Sequence, residues 1–305
     1  MPTSAPIDSF QVSEQFLATK CDYFVDVQLW PLTHRMSPRR WLNNFLPEEK
    51  EHARHLLNAF IYFSQPLMDQ LLLSTFQSIS RFLRDPGESF LATQQKWREF
   101  CDGIIVTCVR GEVPNPTDSG YMFLRMARQI LGIDEGRIME PKNAITALAQ
   151  HTTSTVIFFD DFVGSGEQFI QTWKHRENIP GLGSISFELL ASVMRGASFI
   201  YCPLICTEHG RQRISASCPS VRLHPAHLLT TEYNAFSADC VFWPSNLQAS
   251  VENFLKCASD RAGITEWKGF HELGLTIAFE HSVPDATLPI FYWQQNGWYP
   301  LIQRT

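Results

Sequence analysis

Apolar positions along this 305-residue chain follow two rhythms. Up to about residue 102 they recur at helical spacing. Ala53, Leu56, Leu57, Phe60, Ile61 and Phe63 form one stripe, and Leu67, Leu71, Leu72, Phe76, Ile79 and Phe82 a second. Pro66 separates them, and Asp85-Pro86-Gly87 ends the second. Ser37-Pro38 and Leu46-Pro47-Glu48-Glu49 read as helix starts, with proline at the first helical position, and a further helix carries Trp97 and Phe100. From Gly103 the rhythm changes. Continuous apolar runs at 103–109, 155–163 and 197–206 read as buried parallel strands, with shorter strand segments at 137–139 and 220–223. Between them the spacing predicts helices over 121–131, 143–150, 167–176, 184–194 and 208–216; the run from Ile179 to Gly183 breaks the third of these. Such alternation implies right-handed crossovers, a parallel sheet and ligands at the strand C-termini. A helix over 247–262 opens the tail. The predicted fold class is therefore α/β, divided into a helical extension (1–102), an α/β core (103–236) and a C-terminal block (237–305) that completes or caps the core.

One stretch of the core carries the chemistry. The apolar run from Thr155 ends in two carboxylates, Asp160 and Asp161, and passes through Phe162-Val163 into Gly164-Ser165-Gly166-Glu167-Gln168 at the head of a predicted helix. Glycines free a turn's backbone N–H groups to cradle a phosphate at the positive end of a helix dipole. Paired acids suit neighbouring hydroxyls or a hydrated divalent cation. Together they describe a ribose 5-phosphate site. Two other phosphate patterns do not fit: Gly166 is followed by Glu167 where a Walker loop needs lysine, and the dinucleotide fingerprint needs a third glycine and an acid after the loop. Capping of the next helix would account for one of the acids.

The stretch resembles the ribose-phosphate signature of type I phosphoribosyltransferases. That resemblance implies a phosphoribosyltransferase-like sheet, with Asp160 and Asp161 on the ribose hydroxyls and on Mg²⁺, and with residues Phe162, Val163, Gly164, Ser165, Gly166, Glu167 and Gln168 around the 5-phosphate. It also implies a pyrophosphate-binding loop after the first core strand, falling here on Arg110 and Gly111; an arginine there equally suits a surface ion pair. Gln168 stands where the family usually has Thr or Ser, and Gly164 where it has Thr or Ala, which reduces the hydroxyl donors to a phosphate. The tail from Gly274 to Trp293, together with Trp41-Leu-Asn-Asn-Phe45 and Ser119-Gly120-Tyr121, resembles a bacterial phosphoribosyltransferase-like family of conflict systems. Members of that family are effectors beside retron reverse transcriptases, so the resemblance implies a regulated anti-phage toxin acting on phosphoribosyl pyrophosphate or a nucleotide, with a reverse transcriptase and its nucleic-acid product as partners. In the same tail, Glu280 and His281 follow an apolar segment and form a candidate acid–base pair. Helix capping or a surface pair would explain them as well.

Composition narrows the classes. With 44% apolar residues the chain buries a substantial core, and a net charge of −6 argues against a nucleic-acid coat or a membrane-surface protein. No apolar run reaches membrane-spanning length, and the N-terminus lacks a signal-type core, so a cytoplasmic location is expected. The eight cysteines sit mostly in apolar segments, as expected of reduced thiols; Cys202, Cys206 and His209 could also be read as a zinc corner. Arg35, Arg39, Arg40 and Trp41 form a basic-aromatic cluster that suits nucleic acid, an acidic partner or a solvated helix start. The acceptor and the oligomeric state are left open.

Overall fold

The computed structural model describes residues 13–31, 34–110, 119–150 and 154–304. The chain forms two compact units, one from residues 66–229 and one from 1–65 together with 230–305. Their boundaries differ from the expected divisions at 102 and 236, because the two chain ends build a single core. Strands among the described residues are β1 (Ile61–Phe63), β2 (Ile104–Cys108), β3 (Thr155–Val163), β4 (Glu177–Ile179), β5 (Gly183–Ile185), β6 (Ser198–Thr207), β7 (Val221–Leu223), β8 (His227–Leu229) and β9 (Ile277–Phe279).

In the unit 66–229 the sheet runs β2-β3-β6-β7, with β8 also against β6, and every pairing in it is parallel. The fold is thus mixed α/β around a parallel sheet, with helices dominating the N-terminal region. β3 is central and covered on both faces, which is why its sequence is apolar without alternation. On one face Phe158 meets Phe169 and Phe187 edge-on, at 5.3 and 4.9 Å between ring centroids. On the other, Phe159 lies 6.4 Å from Phe76. Pro203 interrupts β6 at low cost. The Ser198 amide bonds the Ser154 carbonyl, so the alternating odd-numbered amides of β6 face the edge, and Pro203 falls there between the end of β7 and the start of β8. The segment around Ile179, expected only to break a helix, is a hairpin: β4 and β5 pair antiparallel, with Gly181 and Gly183 at positive φ. The helix expected over 184–194 is correspondingly shorter, Phe187–Val193. Residues 137–139, expected as a strand, contribute a 3₁₀ turn (Glu135–Arg137) and one bridge, Val106 to Ile138.

The other unit closes on β1 and β9, which pair parallel from Ile61–Ile277 to Phe63–Phe279. Ile61 and Phe63 were expected on a helix; the helix ends at Ala59, and backbone pairing to the tail overrides the local period. Trp41 is fully buried, stacks on Phe291 at 5.2 Å and donates its indole N–H to the Ile290 carbonyl at 2.9 Å. It therefore belongs to the core and not to an exposed basic-aromatic surface. Phe45 packs edge-on against Trp298 at 5.3 Å, and a bridge joins Met36 to Ile302. Among the described residues no helix is long and apolar enough to cross a membrane.

Because Trp41 links residues 249 positions apart, Trp41→Ala should destabilise its unit by about 3–5 kcal/mol in urea unfolding. A loss below about 1 kcal/mol would show that the indole is not packed as described.

Candidate functional site

β3 delivers Asp160 and Asp161 to its C-terminal end, and the structure gives them different surroundings. Asp160 is only 6% exposed and turned inward: the Tyr201 hydroxyl, from the neighbouring strand β6, donates to its carboxyl at 2.7 Å. Tyr201 is itself clamped flat against Phe169, with ring centroids 3.9 Å apart. Burial, and then the adjacent charge of Asp161, push the Asp160 carboxyl well above the usual carboxylate range. Burial and Asp160 likewise raise the Tyr201 hydroxyl. Asp161 accepts the Phe162 amide at 2.8 Å and is 9% exposed. Tyr201 was readable as a strand residue, but no local signal marks it as the partner of Asp160; only the strand register brings the two together.

The loop after β3 is braced from beneath. Thr207, at the end of β6, donates its hydroxyl to the Gly164 carbonyl at 2.5 Å and accepts the Gly210 amide at 2.9 Å. Gly210 allows this approach: a Cβ there would lie 2.6 Å from the Gly164 oxygen. Gly166 has φ +76°, and a Cβ on it would lie 2.8 Å from Ile214. The helix Glu167–Lys174 starts from Gly166. Ser165 is buried and accepts the Glu167 amide at 3.4 Å, Val163 is buried, Phe162 is half-buried, and Glu167 and Gln168 are exposed. No acceptor among the described residues takes the amides of Ser165, Gly166 or Gln168. Donors at a helix start, beside a glycine turn, can receive an anion.

Arg110 leaves the end of β2 and forms an ion pair with Glu177 on β4. Its amide donates to Thr172, whose hydroxyl in turn donates to the Gln168 carbonyl, so the position after β2 is tied to the first turns of the loop helix. Gly111 lies outside the described residues. Glu280 and His281 belong to the other unit. Glu280 extends the end of β9: its amide bonds the Phe63 carbonyl at 3.0 Å, its carboxylate accepts the Gln65 amide at 2.7 Å, and its carbonyl accepts Arg35 at 2.8 Å. Nearby, burial and Glu280 push the Tyr62 hydroxyl up to about 12. His281 packs near the Phe279 ring, with centroids 5.8 Å apart.

Cys202 and Cys206 are buried in β6, and burial pushes both thiols up to about 12. Among the described residues no three or more His, Cys, Asp or Glu side chains are grouped to hold a metal unaided.

A parallel α/β sheet whose central strand ends in acids and a glycine turn is consistent with a phosphoribosyltransferase-like fold. Residues 38–304 match the PRTase-CE family, and the chain belongs to that family. No curated protein matches it.

The raised pKa of Asp160 has a testable signature. Its pKa in the folded chain lies above the unfolded carboxylate value, so its contribution to stability is complete below that value and is lost as pH rises through the folded pKa. Asp160→Asn keeps a neutral acceptor for Tyr201 and removes the titration. Its stability relative to wild type should therefore improve from pH 5 to pH 8.5 in urea unfolding; an unchanged difference would rule out a neutral Asp160. Gly210→Ala should cost about 1–3 kcal/mol in the same assay by forcing the Gly164 carbonyl away, whereas little loss would mean that the contact is slack.

Proposed function

We propose that the protein binds phosphoribosyl pyrophosphate or a related nucleotide at the end of β3 and acts at the anomeric carbon, by transfer or hydrolysis. The observation that carries this reading is the set of open amides at Ser165, Gly166 and Gln168 beside the carboxylate of Asp161. In this reading the turn grips the 5-phosphate through its amides, which makes up for the hydroxyls absent at Gly164 and Gln168. Asp161 accepts from the ribose hydroxyls and stabilises positive charge developing on the ring as the leaving group departs. Asp160 acts differently from the expected twin of Asp161: neutral and tied to Tyr201, it fixes the strand end and limits the negative charge beside the sugar. Mg²⁺ would fit this donor set through Asp161 and the substrate's own oxygens, and when bound it would offset the charge of a leaving pyrophosphate. Glu280 and His281 remain candidates for acid–base work. Family membership and the resemblance of the tail support placing this activity in a bacterial anti-phage effector of the retron type, with a reverse transcriptase and its nucleic-acid product as partners.

A non-catalytic ligand-binding module is the second reading. The engagement of Arg110 by Glu177, which removes a free pyrophosphate clamp, favours it. The two readings separate in one experiment, in which phosphoribosyl pyrophosphate binding is titrated calorimetrically and pyrophosphate release is measured with Mg²⁺ on the same preparation. Under the enzyme reading, release is detected and Asp161→Asn lowers it by about 10²-fold or more while binding falls less. Gly166→Ala should weaken binding itself, because it strains the +76° backbone and displaces the cradle. Binding without release identifies the module, and no binding to the wild type removes the ribose-phosphate site altogether.

A further inference from the structure

Arg35, Arg39 and Arg40 belong to the unit 1–65 and 230–305. Trp41 is buried with its N–H bonded to Ile290, so that cluster offers no ring of its own. The end of the chain supplies one. Backbone bonds zip residues 35–37 to 301–303: the Ser37 amide bonds the Leu301 carbonyl at 2.8 Å, the Gln303 amide bonds the Arg35 carbonyl at 3.3 Å, and Met36 and Ile302 form an antiparallel bridge. Asn44, three residues after Trp41, then brackets Tyr299 by donating to its carbonyl at 2.8 Å and accepting its amide at 3.0 Å. The Tyr299 backbone is thereby held, while the residue stays 54% exposed and its ring meets no other ring among the described residues.

The three arginines and Tyr299 line one open groove of about 1020 Å³ within that unit. The aliphatic side chains behind it are sealed in the core, so a ligand meets the guanidiniums, the tyrosine ring and the exposed side-chain amides of Gln15, Asn43 and Gln303. The rim's charges favour an anion. Glu14 is paired with Arg54 at 3.4 Å, and Asp22 lies 3.8 Å from Arg39 with both side chains exposed. Arg40 meets no carboxylate among the described residues, and Arg35 bonds a main-chain carbonyl, that of Glu280, at 2.8 Å. A guanidinium grips phosphate oxygens with two parallel donors, and an exposed ring on a held backbone stacks on a planar base. Phosphates and a base in one molecule make a nucleotide, which a groove of this volume accommodates.

We propose that this groove is a second nucleotide site, in which Arg39 and Arg40, with Arg35 beside them, take the phosphates of a nucleoside triphosphate and the Tyr299 ring stacks on its base. Binding there is non-covalent and uses no residue of the turn after β3, which belongs to the other unit. It therefore stands apart from the reading of that turn.

The test is calorimetric titration of the full-length protein with ATP and with tripolyphosphate, which carries the charge without the base. ATP should bind saturably, and this binding should persist in Gly166→Ala, whose change lies in the turn after β3. Its affinity should fall about tenfold or more in Arg39→Glu/Arg40→Glu, and about fivefold or more in Tyr299→Ala. Tripolyphosphate should bind more weakly than ATP, lose affinity in the arginine variant and be indifferent to Tyr299→Ala, a selectivity that a merely structural role for the tyrosine would not produce. The altered side chains are exposed, and thermal melts of the variants should match wild type. Absence of ATP binding, loss of all ATP binding in Gly166→Ala, tripolyphosphate bound as tightly as ATP, or undiminished ATP affinity in either groove variant would each overturn the proposal.

Discussion

The central constraint is the double burial of β3. Flanked by β2 and β6 and covered on both faces, the strand has no solvent-facing side on which to carry polar chemistry, so its polar residues gather at its C-terminal end. Even there the two acids are almost enclosed. Two ionised carboxylates in adjacent, nearly buried positions would repel one another at low local dielectric; burial and the charge of Asp161 raise the Asp160 pKa, and the hydroxyl that Tyr201 donates to Asp160 offsets part of that rise. A pair of aspartates that look equivalent in sequence thus receives two different surroundings, Asp160 under the Tyr201 hydroxyl and Asp161 on the Phe162 amide. The packing that holds Tyr201 against Phe169 also anchors the helix that the phosphate-type turn begins.

The loop shows how close packing and ligand chemistry share residues. Gly166 supplies the positive φ that turns the chain into its helix, and Gly210, from a different segment, lets the next helix approach closely enough for Thr207 to bridge to the Gly164 carbonyl. The turn's carbonyl is thereby committed to the protein, while the amides of Ser165, Gly166 and Gln168 have no acceptor among the described residues. That asymmetry fits an anion and would not suit a cation.

The unit formed by the chain ends rests on a different economy. Among the described residues its sheet has two strands, β1 and β9, so it depends on aromatic packing: Trp41 on Phe291, Phe45 on Trp298, and Trp30 against Phe60 at 6.0 Å. Consuming Trp41 in that core leaves no exposed ring in the arginine cluster itself.

The sequence by itself determined the parallel α/β core, because strands buried on both faces must read as continuous apolar runs: β2, β3 and β6 fall where those runs do, and the helices Glu167–Lys174 and Glu208–Ser217 lie within or at a residue of their expected ends. It also marked the acid pair and the glycine turn, since both are local in the chain. Tertiary structure alone decided the rest. Whether Ile61–Phe63 continued a helix or became a strand depended on a partner more than two hundred residues away, and a period of three or four residues cannot report that. The fate of each aspartate, the burial of Trp41 and the capture of Arg110 by Glu177 were likewise set by neighbours distant in sequence, through desolvation and pairing energies that exist only once the chain has packed.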